Sequence, residues 1–246
     1  MKKKGIIYFH QGWTDIINLL SLINYYNSKY QLIYILMRED AKNLIDFYTK
    51  DMQNVEIIYI SKWELDYRGM SASTRTEASF WGTRLKKYKD ECDILFHGCH
   101  DFLREDKYKK SFRHCVNFVK KFYISYDIPY ITRVNLFNIN RNYELENEMY
   151  EKFIEKHGKE YILYHEEIRN YDTNKQIINL NGISNTFFDM IKILEEAIEL
   201  HLKDSIWGAI TYLLDAKYNM FKNKKIFIYT KRNYKDMFTE PVKLNN

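Results

Sequence analysis

The sequence contains few of the residues that interrupt secondary structure, with only 2 prolines and 8 glycines among 246 residues. Tyrosine is frequent instead, at 22 residues, and lysine, isoleucine and asparagine are abundant. We attribute this composition mainly to an AT-rich coding sequence rather than to function. No low-complexity linker divides the chain. Because hydrophobic residues make up 46% of it, we expect a sizeable core and no extensive disorder.

Cysteine is scarce as well, and the three residues Cys92, Cys99 and Cys115 are odd in number. The opening MKKKGIIYFHQGW has no apolar stretch long enough for a signal peptide. No segment approaches the roughly 20 apolar residues that a transmembrane helix needs. We therefore expect a cytoplasmic protein in a reducing setting, without a transmembrane segment.

Charge of one sign is not in excess, since 38 basic and 33 acidic residues give a net charge of +5. This balance does not favour a nucleic-acid partner but is compatible with an anionic ligand. The patterns GxxxxGK[ST] and GxGxxG and the serine nucleophile elbow are all missing. The cluster from His97 to His100, with Cys92, His114 and Cys115 nearby, matches no zinc spacing. We expect Cys92 and Cys115 in the core and no metal site.

Short apolar runs alternate with segments of helical spacing in the first half of the chain. Strands are predicted at 5–10, 31–37, 55–60 and 92–97, and helices at 15–26, at 40–48 after an Asp40 cap, irregularly from 74, and between 104 and 122. This order and spacing predict right-handed βαβ units and a parallel sheet.

The second half repeats the pattern. A charged helix is predicted at 144–157, ended by Gly158, then strands at 161–165, 177–180, 200–202 and 225–229, with helices at 186–197 and 205–214. The fold class is therefore α/β, with two Rossmann-like βαβ halves, 1–135 and 136–246. We expect the halves to face each other across a cleft, with a ligand between the carboxyl ends of their strands.

The segment Ile198–Tyr218 contains the first candidate site. A short strand runs directly into a helix for which Asp204 or Ser205 is a suitable N-cap. Such a junction presents backbone N–H groups and the positive end of the helix dipole, where α/β proteins bind phosphate. The alternative is an ordinary strand-to-helix turn with a good cap.

Two further turns have candidate residues. In the turn from His10 to Asp15, Gly12 would allow close approach of a substrate, and Asp15 would act as a general base or orient His10. The alternative role for Asp15 is that of an N-cap. In the loop after the predicted strand 161–165, Arg169 could form a bidentate contact with phosphate; the alternative is a solvated charged loop.

Several stretches resemble one group of proteins. HQGWTDIINLLSLINYY is similar to the His-x-Gly-x-x-Asp opening of small glycosyltransferase-like proteins from surface-polysaccharide gene clusters of bacterial, viral and environmental genomes. DIPYITRVNLF is similar to the segment between their two halves. YILYHEE, INLNG and HLKDSIWGAITYLLDAKY are similar to their C-terminal half. The resemblance spans most of the chain and implies the GT-B architecture.

The resemblance also implies roles for individual residues. The N-terminal half would bind the acceptor, with His10 and Asp15 as catalytic residues and Gly12 and Trp13 on the acceptor side. The C-terminal half would bind the nucleotide-sugar donor. The donor-binding residues would be His165, Glu166, Arg169, Asp204, Ser205, Ile206 and Trp207. The pair Trp13-Thr14 departs from the group, which has smaller or apolar residues there.

Together these features predict a glycosyltransferase of polysaccharide biosynthesis that moves a sugar from a nucleotide-diphosphate sugar to a hydroxyl acceptor. It would need no metal or other cofactor, because the helix dipole and Arg169 would stabilise the leaving group. Inversion is favoured, since the sequence offers no candidate for a covalent nucleophile. The alternatives are a nucleotide-sugar epimerase or hydrolase on the same fold, and a non-catalytic binding protein. The oligomeric state is left open.

Overall fold

A computed structural model of the chain describes residues 4–9, 12–60, 88, 90–97, 118–165, 174–181, 187–203 and 205–229. The chain divides into two compact units, Met1–Leu136 and Phe137–Asn246. The acceptor and donor roles that the sequence assigns to the two halves, and a cleft between them, stay predictions. The helix predicted from 74 and most of the helical segment predicted between 104 and 122 lie outside the described residues.

The described part of the first unit forms a four-stranded parallel sheet in the order β3-β2-β1-β4. Its strands are β1 (Lys4–Phe9), β2 (Leu32–Arg38), β3 (Val55–Ile60) and β4 (Cys92–His97). Its helices are α1 (Trp13–Asn27), α2 (Lys42–Thr49), α3 (Phe118–Ile124) and α4 (Thr132–Asn135). All four strands lie within one residue of their predicted bounds, which confirms the parallel α/β prediction.

The described part of the second unit forms another four-stranded parallel sheet, in the order β6-β5-β7-β8. Its strands are β5 (Tyr161–Tyr164), β6 (Gln176–Asn179), β7 (Glu199–Lys203) and β8 (Lys225–Tyr229). Its helices are α5 (Tyr143–His157), α6 (Ile191–Glu196) and α7 (Ile206–Tyr218). Gly158 ends α5 at a φ of 77°, as its place in the sequence predicts.

Helix α1 is buried on more than its predicted apolar side. By their spacing, Ile16, Leu19, Leu20 and Ile23 share one apolar face of the predicted helix. They are fully buried, and so are Ile17 and Leu22. The buried polar residues Asn18 and Ser21 bond to the segment that includes α3 and α4. Asn18 accepts from Arg133 Nη1 at 3.0 Å through its Oδ1, and from the Tyr123 hydroxyl at 2.6 Å through its backbone oxygen. The sheet and that segment thus enclose α1.

One of the alternatives and two local predictions do not hold. The alternative is the N-cap role of Asp15: helix α1 begins at Trp13 with Gly12 as its N-cap, so Asp15 lies in the first turn. Asp40 does not cap α2, because a short 3₁₀ turn (Glu39–Ala41) precedes that helix. Phe187 was expected inside a helix. It instead has a φ of 64° and is only partly buried before a 3₁₀ turn (Phe188–Met190).

Within the described ranges, no helix is both long and apolar enough to cross a bilayer.

Candidate functional site

Each sheet has a point at which the strand order changes direction. In the first sheet the chain moves outward from β1 through β2 to β3 and then returns to the other side of β1 for β4. In the second sheet, β5 and β6 lie on one side and β7 and β8 on the other. Ligands of open α/β sheets bind beyond the carboxyl ends of the strands at such switch points. The candidate positions are therefore the ends of β1 and β4, and of β5 and β7.

At the second switch point the structure brings two predicted donor residues together. His165 directly follows β5, Ser205 follows β7 after one residue, and His165 Nδ1 lies 3.0 Å from Ser205 Oγ. The hydroxyl of Ser205 donates to the backbone oxygen of Lys203 at 3.1 Å. The backbone N–H of His165 donates to the backbone oxygen of His201 at 2.9 Å. The two strand ends are thus joined by both main-chain and side-chain contacts.

Ser205 occupies the N-cap position of α7 but does not cap it with its side chain. Its backbone is extended, at φ −151° and ψ −174°, and its hydroxyl makes no cap hydrogen bond. A serine at this position ordinarily accepts from an N–H of the first turn. Here the hydroxyl is directed to His165 and Lys203 instead. The first-turn N–H groups have no acceptor within their own helix, and the cap residue supplies none through its side chain.

Because Gly208 has no side chain, the first turn of α7 packs closely against the end of β7. A Cβ at this position would lie 2.7 Å from the backbone oxygen of Lys203, closer than real Cβ contacts allow. The first turn is also well buried, with Ile206 9% and Trp207 2% exposed. Trp207 makes an edge-to-face contact with Phe187, with 5.1 Å between ring centroids. Close packing therefore fixes the helix N-terminus at the switch point.

His165 is 8% exposed, and its surroundings favour the neutral ring. Burial lowers the pKa of His165, the positive charge of Lys203 lowers it further, and a hydrogen bond to the Asn181 side chain acts in the opposite direction. A neutral ring donates one hydrogen bond and accepts another without adding charge to the site. An anion bound nearby would reverse this balance and favour protonation.

At the first switch point, the predicted acceptor-side residues lie in one turn. Gly12 is the N-cap of α1 and accepts from the Ile16 N–H at 2.9 Å. Trp13 and Asp15 occupy the first turn and are partly buried. A carboxylate in a first turn is favoured by the helix dipole, so the position of Asp15 has a structural explanation as well as a catalytic one.

Sequence reasoning missed Arg38 at this edge. It ends β2, is 6% exposed and forms a bidentate ion pair with Asp40. Its guanidinium carbon lies 5.2 Å from the Trp13 ring centroid. An arginine at the end of an apolar strand was the available signal, but the contact with Trp13 spans 25 positions and has no local pattern.

Four predicted site residues, namely His10, Glu166, Arg169 and Asp204, lie outside the described residues, so their roles stay predictions. Of the cluster that begins at His97, only His97 itself is described. Its Nδ1 donates to the backbone oxygen of Phe122 at 2.6 Å, and its Nε2 accepts from the Tyr26 hydroxyl at 2.8 Å. Both ring nitrogens are used within the core. Across the described residues, no group of three or more His, Cys, Asp or Glu side chains could hold a metal ion.

The chain is similar in fold to a solved glycosyltransferase structure. The crystal structure of the glycosyl transferase family 9 from Veillonella parvula DSM 2008 matches with a TM-score of 0.51 and 8% sequence identity. The match covers 93% of this chain and 87% of that chain. No family model matches the sequence, and neither does any curated protein. The likeness establishes a glycosyltransferase-like fold over nearly the whole chain.

Proposed function

We propose that the protein is a metal-independent glycosyltransferase of GT-B type that uses a nucleotide-diphosphate sugar as donor. The proposal rests on the arrangement of residues at the second switch point. There, His165 and Ser205 meet beside a helix N-terminus whose cap residue makes no side-chain bond to it. The fold that this chain shares with a glycosyltransferase structure supports the same class.

The diphosphate of the donor would bind to the N–H groups of Ile206 and Trp207. When the bond between the sugar and the diphosphate breaks, negative charge grows on the leaving oxygen, and fixed N–H dipoles stabilise it without reorganising. His165 would donate a hydrogen bond or take up a proton as that charge develops. Arg169 and Asp204 are assigned to this site by resemblance alone.

The acceptor would bind on the first unit. Its hydroxyl oxygen attacks the anomeric carbon while a general base takes the proton, and Asp15 and His10 are the candidates for that base. A direct attack of this kind inverts the configuration at the anomeric carbon. The acceptor would be a glycan or another hydroxyl compound, and polysaccharide biosynthesis would be the setting.

The test is a panel of UDP, GDP, ADP and CMP compounds measured by thermal shift, followed by sugar release from the matching nucleotide-sugar. We expect one nucleotide to raise the melting temperature and its sugar conjugate to react only when an acceptor is supplied. Product formation without an acceptor would instead identify a hydrolase or epimerase. Stabilisation by none of the nucleotides would overturn the proposal.

A further inference from the structure

Arg38 forms a fixed contact with an aromatic ring at the first switch point. Its Nε and Nη2 donate to the two carboxylate oxygens of Asp40. The Asp40 side chain is 54% exposed, whereas that of Arg38 is 8% exposed. The guanidinium lies over the indole of Trp13, 5.2 Å from the ring centroid. A largely buried cation thus lies against the residue that begins α1.

The ion pair by itself is weak evidence for stability. It joins residues only two positions apart, and burying a guanidinium carries a desolvation cost. What a bidentate pair supplies is orientation, because two parallel hydrogen bonds fix the plane of the guanidinium. A guanidinium with a fixed plane in turn fixes the indole with which it makes a cation–π contact.

We propose that Arg38 is a positioning residue that holds Trp13 as a platform for a sugar ring of the acceptor. Trp13 is only partly buried, and the platform would be the indole face that Arg38 does not cover. An indole face carries the negative part of the ring quadrupole, which attracts the C–H groups along one face of a pyranose. This inference rests on the proposed function, from which it takes a glycan as the acceptor.

The charges at this position favour an uncharged sugar over an anionic group. Asp40 already uses the guanidinium fork of Arg38 and neutralises its charge. A phosphate or carboxylate on the acceptor would therefore have to displace Asp40, whereas a pyranose ring needs only the indole. The inferred ligand class is a neutral pyranose, bound through its C–H face.

The experiment is fluorine NMR on protein labelled with fluorotryptophan. The chain has 4 tryptophans, so each signal can be assigned by replacing one tryptophan with phenylalanine. The probes are a set of neutral methyl pyranosides, with sorbitol as an acyclic polyol control. We expect at least one pyranoside to shift the Trp13 signal in a saturable manner, and sorbitol to leave that signal unchanged.

The Arg38→Met variant should weaken that response by about fivefold and broaden the Trp13 signal, since the ring loses its fixed neighbour. Arg38→Lys should recover part of the affinity, because it keeps the cation but not the fork. Asp40→Asn leaves Arg38 in place and alters a half-exposed side chain, so it provides a second test if Arg38→Met does not fold. The Trp207 signal reports the integrity of the second unit in every variant.

The inference is overturned if no pyranoside moves the Trp13 signal, or if Arg38→Met and Asp40→Asn both leave the pyranoside affinity unchanged. Nucleotide binding is measured on the same samples, so that this inference and the proposed function are tested separately. If a nucleotide binds but no pyranoside shifts the Trp13 signal, only the platform is refuted. A Trp13 response without binding of any nucleotide supports the platform and refutes the nucleotide-dependent transfer.

Discussion

At the residue scale, two buried histidines of the second unit make folding sensitive to acid. Burial lowers the pKa of both His165 and His201. The charge of Lys203 adds to this effect at His165. At His201, a hydrogen bond to Glu199 opposes it without reversing it. In the unfolded chain a histidine titrates near 6.5, so the unfolded state takes up protons that the folded state resists.

We therefore expect the free energy of unfolding to be highest above about pH 6.5 and to fall as the pH drops below that value. Urea unfolding at a series of pH values measures this dependence. The double variant His165→Asn and His201→Asn should show a shallower loss of stability with acid than the unmodified protein. The matched control is His157→Asn, at the partly exposed end of α5, which should leave the acid dependence in place. An equal slope in the double variant would contradict the prediction.

A second residue-scale prediction concerns the buried carboxylate of Glu146, which is 1% exposed. Arg141 donates to both of its oxygens and also to Glu195 at 3.0 Å. Removing the cation leaves a buried charge without its partner, so Arg141→Met should cost about 3–5 kcal/mol of unfolding free energy. Glu195→Gln, at a more exposed position, should cost no more than about 1 kcal/mol.

The double variant Arg141→Met and Glu146→Met provides the control for that interpretation. It removes both charges together, so urea unfolding should place it closer to the unmodified protein than Arg141→Met alone. If the double variant loses as much unfolding free energy as Arg141→Met and Glu146→Met do separately when added together, the penalty comes from lost packing and not from an unpaired carboxylate.

At the element scale, the sequence predicts strands better than it predicts what their ends contact. All four strands of the first sheet are predicted to within one residue, because continuous apolar runs of this length are typical of buried parallel strands. The residues after the strands depend on neighbours distant in sequence. The Asp40 carboxylate accepts hydrogen bonds from Arg38 instead of capping α2. The Ser205 hydroxyl contacts His165, 40 positions away, instead of capping α7. Local capping rules cannot anticipate either choice.

The same limit explains the burial of the polar residues Asn18 and Ser21 of α1. They are buried because a segment more than 100 positions later covers them. Helical periodicity identifies the face that meets the sheet, but it carries no information on a second layer. Likewise, the position of the candidate donor site follows from the strand order, but its side-chain contacts do not.

The prediction at this scale tests the N-terminus of α7 directly. Ile206→Pro removes the N–H of the first helical residue at a position where proline is well tolerated. The extended backbone of Ser205 also suits a residue before proline. We expect the nucleoside diphosphate to bind about tenfold more weakly, because one charge-assisted hydrogen bond is lost. Since Ile206 is 9% exposed, the smaller proline side chain should also lower the free energy of unfolding by about 1–2 kcal/mol.

Ile206→Val is the matched control, since it trims the same side chain but keeps the N–H. Isothermal titration of both variants with the nucleotide identified by thermal shift gives the comparison. Equal affinity for the proline and valine variants would show that this N–H does not bind the diphosphate, and the site would have to be sought elsewhere on the second unit.

At the scale of the whole molecule, the two units have the same architecture but different residues at their switch points. Both have a helix N-terminus whose cap residue makes no side-chain bond to it. The first turn of α1 contains the carboxylate of Asp15, whereas the first turn of α7 contains no acidic residue and lies beside His165. A carboxylate suits a sugar hydroxyl that must lose a proton and disfavours an anion, whereas N–H groups without a nearby carboxylate suit a diphosphate. This difference supports the proposal that the donor binds to residues 137–246 and the acceptor to residues 1–136.

Hydrogen exchange followed by mass spectrometry tests that division. With the matching nucleoside diphosphate alone, we expect slower exchange in peptides that cover His165 and the first turn of α7, because bound N–H groups are withdrawn from solvent. Peptides that cover the first turn of α1 should keep their exchange rates. The Ile206→Pro variant, measured at the same nucleotide concentration, should show less protection in the second unit, since fewer molecules are occupied. Protection that begins instead at Trp13 and Asp15 would exchange the roles of the two units, because the diphosphate would then bind where the acceptor is now assigned.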